Sequence, residues 1–567
     1  KIKPFEDLTI NFKGDWFYEF YNFERFYRTY QTAPGQFNRS HNSSAQTQRN
    51  LTQTYNILFN YNKTFGDHSL SALLGWEYFH SKYGMLSGSG YNPNNNYFRD
   101  LQYTITEEGA RQLDSSHSKF ITESYFMRLN YDYQAKYIAS FTVRRDGISK
   151  LGQDNRWGVF PGLSLGWVFT KEDFMKKYPW LSFGKLRTSF GRNGNVNENW
   201  VGNYTIQGAF AQSLYNGSQA FTLSSIPNYF LTWETSRTFE VGVDLGFLSN
   251  RINFSIDAYW RNNYDLIGYF NSQLYGEFMR ANVASMRSHG LEFTLSTQNI
   301  KRKNFSWNSD LIFSHTKNKI TDLYSPARIL DLVQGTGFPL VGYPVRSMFS
   351  IPFRGLNKEG LPTFLDQNGN ITTTGIYFQE RDKEKTKFLK YEGPIDPTIT
   401  GSLGNSFRYK NFSLNIFVTY SFGNVIRLDD IFSNEYDDLT SMTKEFRNRW
   451  VVPGNEKTTN VPVIASRRQN FNDSNLKYAY SAYNYSDVRV AKGDFIRMKE
   501  ISLGYDFPKS IVKILGVNTL AMKLQATNLF LIYADKKLNG QDPEFFNTGG
   551  VAVPTPKQFT LTLRLGL

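Results

Sequence analysis

Aromatic side chains in polar stretches of the sequence are the residues whose chemistry most directly suggests contact with a small molecule. An aromatic face can stack against the apolar face of a sugar ring. Five residues are candidates for such contacts: Trp200, Tyr204, Tyr264, Tyr483 and Tyr485. Packing within a connection, or membership of an aromatic girdle, explains the same residues and is the favoured interpretation. We treat them as candidate substrate contacts.

The sequence offers weak evidence for metal binding. The run DQNGN at residues 366–370 resembles the start of a calcium-binding loop, but Gly369 occupies its fourth place and Tyr377, rather than Glu, its twelfth. An ordinary turn is the favoured interpretation of this run. The histidines show no metal-ligand spacing; they are His41, His68, His80, His117, His289 and His315. We expect no metal site and no cofactor.

No local motif supports an enzyme. The chain has no cysteine, which excludes a disulfide framework and a thiolate nucleophile. Carboxylates are plentiful, but no motif singles out a pair for glycoside hydrolysis. Asp146 and Gly147 are predicted to lie in a loop between strands, where a turn is a better explanation than ligand contact. We therefore expect a protein that is not an enzyme.

The elements that must position these residues are strands with a period of two. Between residues 124 and 170, apolar side chains alternate with polar ones in three successive runs. In the first run, Met127, Leu129, Tyr131 and Tyr133 alternate with Arg128, Asn130, Asp132 and Gln134. This period places the two sets on opposite faces of a strand. Apolar faces suit lipid and polar faces suit a water-filled lumen, so the pattern predicts an all-β fold, a transmembrane antiparallel β-barrel.

Composition agrees with one repeating architecture. The 567 residues contain no Pro/Ser-rich linker, which favours a single barrel domain over residues 1–567. Aromatic residues make up 17% of a chain with a mean hydropathy of −0.48, as expected for aromatic girdles around a polar interior. The net charge is +14, and the basic residues are scattered among 50 acidic ones. No recognition helix is visible, so we predict no nucleic-acid binding and expect Lys and Arg to line the lumen and meet lipid phosphates.

Short and long connections alternate between the predicted strands, as in barrels with short periplasmic turns and long extracellular loops. Tight turns are predicted at Gly66-Asp67, Ala135-Lys136, Ser249-Asn250 and Lys410-Asn411. Long extracellular loops are predicted at about 21–50, 80–123, 192–236, 262–285, 421–494 and 530–557. The alternation fails once, between 317 and 397, where a strand is predicted near 345–353. We therefore expect one additional strand within 360–377, and roughly 17–18 strands in all.

Several runs resemble the SusC/RagA family of TonB-dependent outer-membrane transporters, in the family's order and over nearly the whole chain. They are RRDGISKLGQDNRWGVFPGLSLGW (144–167), GRNGN (191–195), NVASMRSHGLEF (282–293), GDFIRMKEISLGYDFPKS (493–510), ATNLF (526–530), DPE (542–544) and PKQFTLTLRLGL (556–567). The resemblance implies a barrel of about 22 strands with an N-terminal plug. This sequence looks like the C-terminal barrel portion, with the plug and the TonB-contacting segment absent from it.

The resemblance also implies a function. Such a protein imports oligosaccharides or peptides across the outer membrane of a Gram-negative bacterium, is energised by TonB, and is closed by a SusD-like surface lipoprotein. Two alternatives remain open: a passive porin or structural barrel, and a barrel that anchors an adhesin or enzyme activity in its loops. A plug preceding the barrel would favour import, whereas a catalytic cluster in the long loops would favour the last alternative.

The loop at 421–494 is the predicted docking surface for the lipoprotein, together with the loop at 530–557. It is rich in residue types enriched at protein interfaces: Tyr436, Phe446, Trp450, Tyr478, Tyr480, Tyr483, Tyr485, Arg447, Arg449, Arg467 and Arg468. The alternative is that these aromatic residues pack the loops onto one another.

Overall fold

A computed structural model gives the fold. It describes residues 1–28, 31–34, 36–37, 43–91, 97, 99–104, 111–197, 200–271, 278–324, 326–432, 443–464, 473, 475–545 and 555–566. The strands of the first half of the chain are β1 (Ile2–Phe5), β2 (Leu8–Phe26), β3 (Gln31–Ala33), β4 (Gln36–Phe37), β5 (Ser43–Phe65), β6 (His68–Gly90), β7 (Arg111–Tyr133), β8 (Tyr137–Ile148), β9 (Trp157–Trp167), β10 (Leu181–Asn195), β11 (Ala209–Tyr215), β12 (Ser218–Ser225), β13 (Glu234–Phe247) and β14 (Ile252–Asn271).

The remaining strands are β15 (Phe278–Lys301), β16 (Phe305–Leu323), β17 (Ser347–Ser350), β18 (Phe353–Leu356), β19 (Pro362–Leu365), β20 (Ile371–Thr372), β21 (Lys390–Pro394), β22 (Ile399–Tyr409), β23 (Phe412–Phe422), β24 (Val425–Arg427), β25 (Val490–Lys492), β26 (Phe495–Asp506), β27 (Thr519–Ala534) and β28 (Gln558–Gly566). The helices among the described residues are α1 (Ile329–Val333), α2 (Lys383–Thr386), α3 (Leu476–Asn484) and α4 (Lys509–Ile514). Short 3-10 turns lie at Leu101–Tyr103, Phe169–Lys171, Asp173–Lys177, Thr205–Gln207, Lys444–Asn448, Asn455–Lys457, Asp487–Arg489, Lys536–Leu538 and Pro543–Phe545.

Seventeen of the described strands pair in the large antiparallel sheet, in agreement with the 17–18 strands predicted. The chain divides into two compact units. The first unit contains residues 1–166, 189–237 and 265–283, and the second contains residues 167–188, 238–264 and 284–567.

In the first unit, β2, β5, β6, β7 and β8 pair in sequence order. Strands β5, β6 and β7 each contain 23 residues, or roughly 75 Å at about 3.3 Å per residue. A membrane crossing needs only about 9–11 residues per strand. These strands therefore continue into ranges predicted as loops, since β6 covers 80–90 and β7 covers 111–123 of the predicted loop 80–123.

The predicted alternation of faces is present in β7 and β8. Asn130 lies opposite Ser140, whose hydroxyl donates to Asn130 Oδ1 at 2.6 Å. Leu129 lies opposite Phe141, and both side chains are exposed. Because neighbouring residues of a strand point to opposite faces, one face of this ladder is polar and hydrogen-bonded while the other is apolar and open. This is the arrangement that a lumen on one side and lipid on the other require.

The turn after β7 differs by one residue from the prediction. Gln134 and Ala135 have φ values of 53° and 49°, so the left-handed pair is Gln134-Ala135 rather than Ala135-Lys136. Two successive residues with positive φ give the turn a twist that matches the flanking strands. Gln134 Nε2 also donates to Asp67 Oδ2 of the neighbouring turn at 2.7 Å.

In the second unit, β16 pairs directly with β22, from Phe305 opposite Tyr409 to His315 opposite Ile399. The segment 324–398 is therefore a single connection, and the predictions of a sheet strand at 345–353 and an additional one within 360–377 were wrong. Strand β17 is short and buried at every position, and β18, β19 and β20 form a small separate sheet. Omitting one predicted strand, rather than adding one, restores the alternation of short and long connections.

Candidate functional site

Two long connections of the second unit fold together. We call residues 324–398 the first connection, residues 423–494 the second connection, and their described parts together the connection body. Its core contains buried apolar side chains from both connections, among them Ile329, Leu332, Phe349, Ile351, Phe364, Phe432, Phe446, Tyr480 and Tyr483. Full burial of a side chain of this size contributes about 1.5–3 kcal/mol relative to exposure. The core therefore holds the two connections against each other.

A buried arginine joins the halves of the connection body. Arg427 donates to the main-chain carbonyl oxygens of Val333 at 3.0 Å and Phe349 at 2.7 Å, both in the first connection. It also donates to the carbonyl of Ser486 at 2.7 Å and to Ser350 Oγ at 3.1 Å. Burial lowers the pKa of the Arg427 guanidinium to about 10, because desolvation disfavours the charged form. At neutral pH the side chain is still a cation, and it satisfies carbonyl groups that burial would leave unpaired.

Residues after β27 are bonded to the second connection. The main-chain N–H of Lys492 donates to Asp535 Oδ2 at 2.8 Å, and Lys537 Nζ donates to the carbonyl of Val490 at 3.0 Å. Leu538 is buried in an apolar cluster with residues of the second connection. We call residues 535–557 the third connection, and its described start is fixed to the connection body.

Several of the runs that resemble the family contribute residues to one cavity, which is lined in part by a buried arginine. Arg497, from the run 493–510, forms ion pairs with Asp542 and with Glu544, at 2.8 Å from Arg497 Nη2 to Glu544 Oε2. Arg497 and Asp542 line a cavity of about 830 Å³, which Asn528 of the run ATNLF also lines. Asn528 has a φ of 53°, and the pairing of β26 with β27 is irregular beside it.

Sequence reasoning did not identify this cluster. The available signal was the acidic pair of the run DPE, because Asp542 and Glu544 are the only charged residues between Lys537 and Lys557. If such carboxylates are buried, they need a cationic partner elsewhere in the fold. The partner itself is 45 residues away from Asp542 along the chain, and local patterns do not reveal it.

The structure corrects the interpretation of Tyr483 as a substrate contact. Tyr483 is 2% exposed and packs against Phe432 and Phe353 in the connection body. A ring that is this deeply buried has no face available for stacking against a sugar ring. Burial raises the pKa of the Tyr483 hydroxyl to about 12. Tyr485 is half-buried, and its ring lies edge-on to Phe378 at a centroid distance of 6.0 Å.

Trp200 and Tyr204 lie in the first unit, in the connection between β10 and β13. The Trp200 ring packs edge-on against Tyr269, with ring centroids 5.4 Å apart. The Arg280 guanidinium lies 4.8 Å from the Trp200 ring centroid and 3.4 Å from that of Tyr269, and it donates to Tyr269 Oη at 2.6 Å. Tyr204 is exposed, whereas Tyr264 lies within β14 rather than in a loop. Trp200 therefore packs with Tyr269 and Arg280, neither of which was predicted from the sequence as a site residue.

The run at 366–370 forms a turn. Asp366 Oδ1 accepts hydrogen bonds from the main-chain N–H groups of Asn368 at 2.9 Å and Asn370 at 2.8 Å. The carboxylate thus closes the hairpin between β19 and β20, a common use of Asp in turns. Within the described ranges, no group of three or more acidic or histidine side chains is arranged to hold a metal ion.

Asp146 lies within β8, not in a loop as predicted. Its Oδ1 accepts a hydrogen bond from Arg144 Nε at 2.5 Å. Arg144 also donates to Ser124 Oγ at 2.7 Å and lies 3.4 Å from Glu77. Asp146 therefore belongs to a polar network on one face of the β6–β8 ladder.

Most aromatic residues of the predicted docking surface are internal. Phe446, Trp450 and Tyr480 are buried in the second unit, and only Tyr478 of this group projects from α3 into solvent. Arg447 is exposed and Arg449 is half-buried, whereas Tyr436, Arg467 and Arg468 lie outside the described residues. The described aromatic residues therefore pack the connections onto one another, which is the alternative that the sequence left open.

None of the helices in the described part of the chain is long and apolar enough to cross a membrane. Over 92% of its length, the chain is 29% identical to the TonB-dependent receptor SusC of Bacteroides thetaiotaomicron, of which it covers 50%. It is also 29% identical, over 88% of its length, to TonB-dependent receptor P3 of Formosa agariphila, of which it covers 49%. The chain thus spans about half the length of these relatives.

Solved structures confirm the fold. The structure of the RagAB peptide transporter matches the whole of this chain with a TM-score of 0.80 at 22% sequence identity, and the match covers 60% of that transporter chain. Residues 5–428 match the family described as "TonB dependent receptor-like, beta-barrel". Paired strands with one polar face, the SusC relationship and this match agree, and the chain belongs to the TonB-dependent receptors, the β-barrel proteins of the Gram-negative outer membrane.

Proposed function

We propose that the full-length protein is an active importer of oligosaccharides or peptides, energised by TonB and closed from outside by a SusD-like surface lipoprotein. The match of residues 5–428 to the receptor barrel is the observation on which the proposal most depends. Similarity to SusC supports import with a lipoprotein partner. Closed barrels of about 22 strands accommodate a plug and a substrate path, because their interior is wider than side chains can fill.

We further propose that the long connections face the cell exterior. The turns at 66–67, 134–136 and 410–411 are short, whereas the first and second connections are each more than seventy residues long. Outer-membrane barrels keep short turns in the periplasm and long loops outside. The connection body then belongs to the outer surface, where a lid and a substrate would arrive.

Trp200, with Tyr269 and Arg280, is the arrangement that best supports substrate contact. It combines two exposed aromatic side chains with a cation, and both kinds of group can bind sugar rings or peptide side chains. Tyr204 is exposed in the same connection. Substrate contact by Tyr264 and by Tyr485 stays a prediction from the sequence.

Uptake by the source bacterium tests the proposal. The wild type and a strain lacking this protein are supplied with size-fractionated pools of starch oligosaccharides and of casein peptides as sole carbon source. Import by this protein predicts that the deletion abolishes growth on at least one fraction of long oligomers, and that disruption of TonB has the same effect. Growth that depends on this protein but not on TonB would indicate a passive pore and contradict active import.

A further inference from the structure

The connection between β10 and β13 carries an unusual absence of charge. Residues 199–233 contain no Asp, Glu, Lys, Arg or His, although charged residues make up 20% of the chain. A loop that only meets water gains solubility from charge. Depletion of charge together with aromatic enrichment is instead typical of the core of a protein interface.

Within this connection, β11 and β12 form a hairpin that exposes large apolar side chains. Phe221 is 68% exposed, Leu214 is 74% exposed and Tyr215 is 79% exposed. The pairing places Phe210 opposite Leu223 and Phe221 opposite Gln212. Because alternate residues share a face, Phe210, Leu214 and Phe221 lie on the same face of the hairpin. We call this the hairpin face.

The hairpin has no other strand to support it among the residues that the structure describes, since β11 and β12 pair only with each other there. An isolated two-stranded hairpin is marginally stable in water. An apolar face and two open edges are therefore features that another surface would stabilise. Aromatic residues bury about 150–250 Å² each, so Phe210 and Phe221, together with Leu214, offer on the order of 500 Å². This is more than half of the roughly 800 Å² that each partner contributes to a standard interface.

The chemistry of the hairpin favours a protein over a membrane as its partner. Its two edges carry main-chain N–H and C=O groups that lipid cannot satisfy, at a cost of several kcal/mol for each group. It also lacks the Lys and Arg side chains with which surface-bound elements meet lipid phosphates. A protein can supply both an apolar cleft and a strand edge for pairing.

We propose that the hairpin face docks the surface lipoprotein, in an uncharged cleft lined by apolar and aromatic side chains. This inference rests on the proposed function for the existence of that partner. It moves the expected docking surface away from the aromatic residues of the second connection, which are buried, to a connection whose aromatic residues are open. Contact by strand addition at an edge of β11 or β12 would add hydrogen bonds to the apolar contact.

Photo-crosslinking in the native membrane tests this contact without disturbing the fold. p-Benzoylphenylalanine replaces Phe221 in the full-length protein, and, as a control, Ile514 in α4, which is 84% exposed in a short connection. We expect the probe at 221 to crosslink the lipoprotein that co-purifies stoichiometrically, and the probe at 514 not to do so. Crosslinks from 221 only to lipid, only to a second copy of this chain, or to nothing would overturn the inference.

Co-purification in mild detergent measures the energetic importance of the same face. The triple variant Phe210→Ser/Leu214→Ser/Phe221→Ser should reduce the recovered lipoprotein at least tenfold, whereas Ile514→Ser should leave it unchanged. Retention of the lipoprotein by the triple variant would refute docking at this face while leaving the proposed function intact. Absence of any lipoprotein from the wild-type preparation would instead contradict the partner in the proposed function, and the hairpin assignment with it.

Discussion

Arg427 Nη2 donates a hydrogen bond to the main-chain carbonyl oxygen of Phe349 at 2.7 Å, across 78 residues of sequence. The two residues belong to different connections of the second unit, and each is buried. A charged donor is well suited to this position, because one guanidinium can satisfy several carbonyl groups that converge from separate segments. The connection body is therefore a folded element with its own apolar core, and Arg427 joins its two connections by hydrogen bonds.

Replacing Arg427 by Met should loosen the connection body. The substitution keeps much of the apolar stem but leaves buried carbonyl oxygens without donors, at a cost of about 3 kcal/mol. Limited proteolysis of the intact protein in detergent should show faster cleavage within residues 326–432 and 443–464, while the sheet stays protected. Arg354→Met is the matched control, because Arg354 is exposed in the same body. Equal protection of the two variants would contradict the role of Arg427.

Alkaline pH should destabilise the connection body through Tyr483. Burial raises the folded-state pKa of its hydroxyl from 10.0 to about 12, so the neutral phenol stabilises the folded state fully below pH 10, and this contribution is lost as pH rises from about 10 to 12. The loss amounts to about 2–3 kcal/mol. Across this window, proteolytic susceptibility should rise more in the wild type than in Tyr483→Phe, because Arg427, with a pKa of about 10, titrates in both proteins and cancels in the comparison. Tyr478→Phe, on the exposed side of α3, should follow the wild type, and an unchanged profile for Tyr483→Phe would argue against this assignment.

Asp542→Asn should release the start of the third connection. The substitution leaves the buried Arg497 with one carboxylate partner in place of two, and unpaired buried charge is costly, at about 3–5 kcal/mol for complete loss of a partner. Hydrogen exchange at residues 535–545 should accelerate more than tenfold. Glu544→Gln should have a smaller effect, because the Glu544 side chain is more exposed than that of Asp542. A larger effect of Glu544→Gln than of Asp542→Asn would contradict the claim that Asp542 is the more stabilising partner of Arg497.

Lysine at adjacent positions of β7 should separate the two faces of the sheet. Leu129→Lys places a charge on the apolar face and should destabilise the barrel by about 2–4 kcal/mol near the bilayer midplane, whereas Asn130→Lys on the polar face should cost little. The measurement is the temperature at which heating converts the fast-migrating band of the folded protein into the slower band of the unfolded protein on a detergent gel. Similar temperatures for the two variants would contradict the assignment of faces.

The long strand ladders could be predicted from the sequence because period-two alternation is a local property. Residues 127–133 and 137–143 carry the pattern in their own side chains, and one face of each is polar. The prediction of a sheet strand at 345–353 failed for a physical reason. Strand β17 within it is buried at every position in the connection body, and burial on all sides gives no alternation of faces. The aromatic residues of the second connection misled in the same way, since composition does not distinguish an interface from a core.

Long-range polar contacts were beyond sequence reasoning. Arg427 and Arg497 each look like an ordinary strand-end arginine, and their partners lie 45 or more residues away. The uncharged stretch at 199–233 was visible in the sequence, but its meaning depended on knowing that Phe221 and Leu214 are exposed. Exposure is set by the fold as a whole, which a single sequence pattern does not report.

The most direct test of the central claim is energised accumulation by intact cells. Cells expressing the full-length protein with its partner receive a fluorescently labelled pool of the oligomers that support growth, with and without a protonophore that dissipates the proton gradient. Active import through this barrel predicts rapid accumulation in untreated cells and a loss of at least tenfold after treatment, to the level of cells that lack the protein. Accumulation that depends on the protein yet persists undiminished in treated cells would contradict the account.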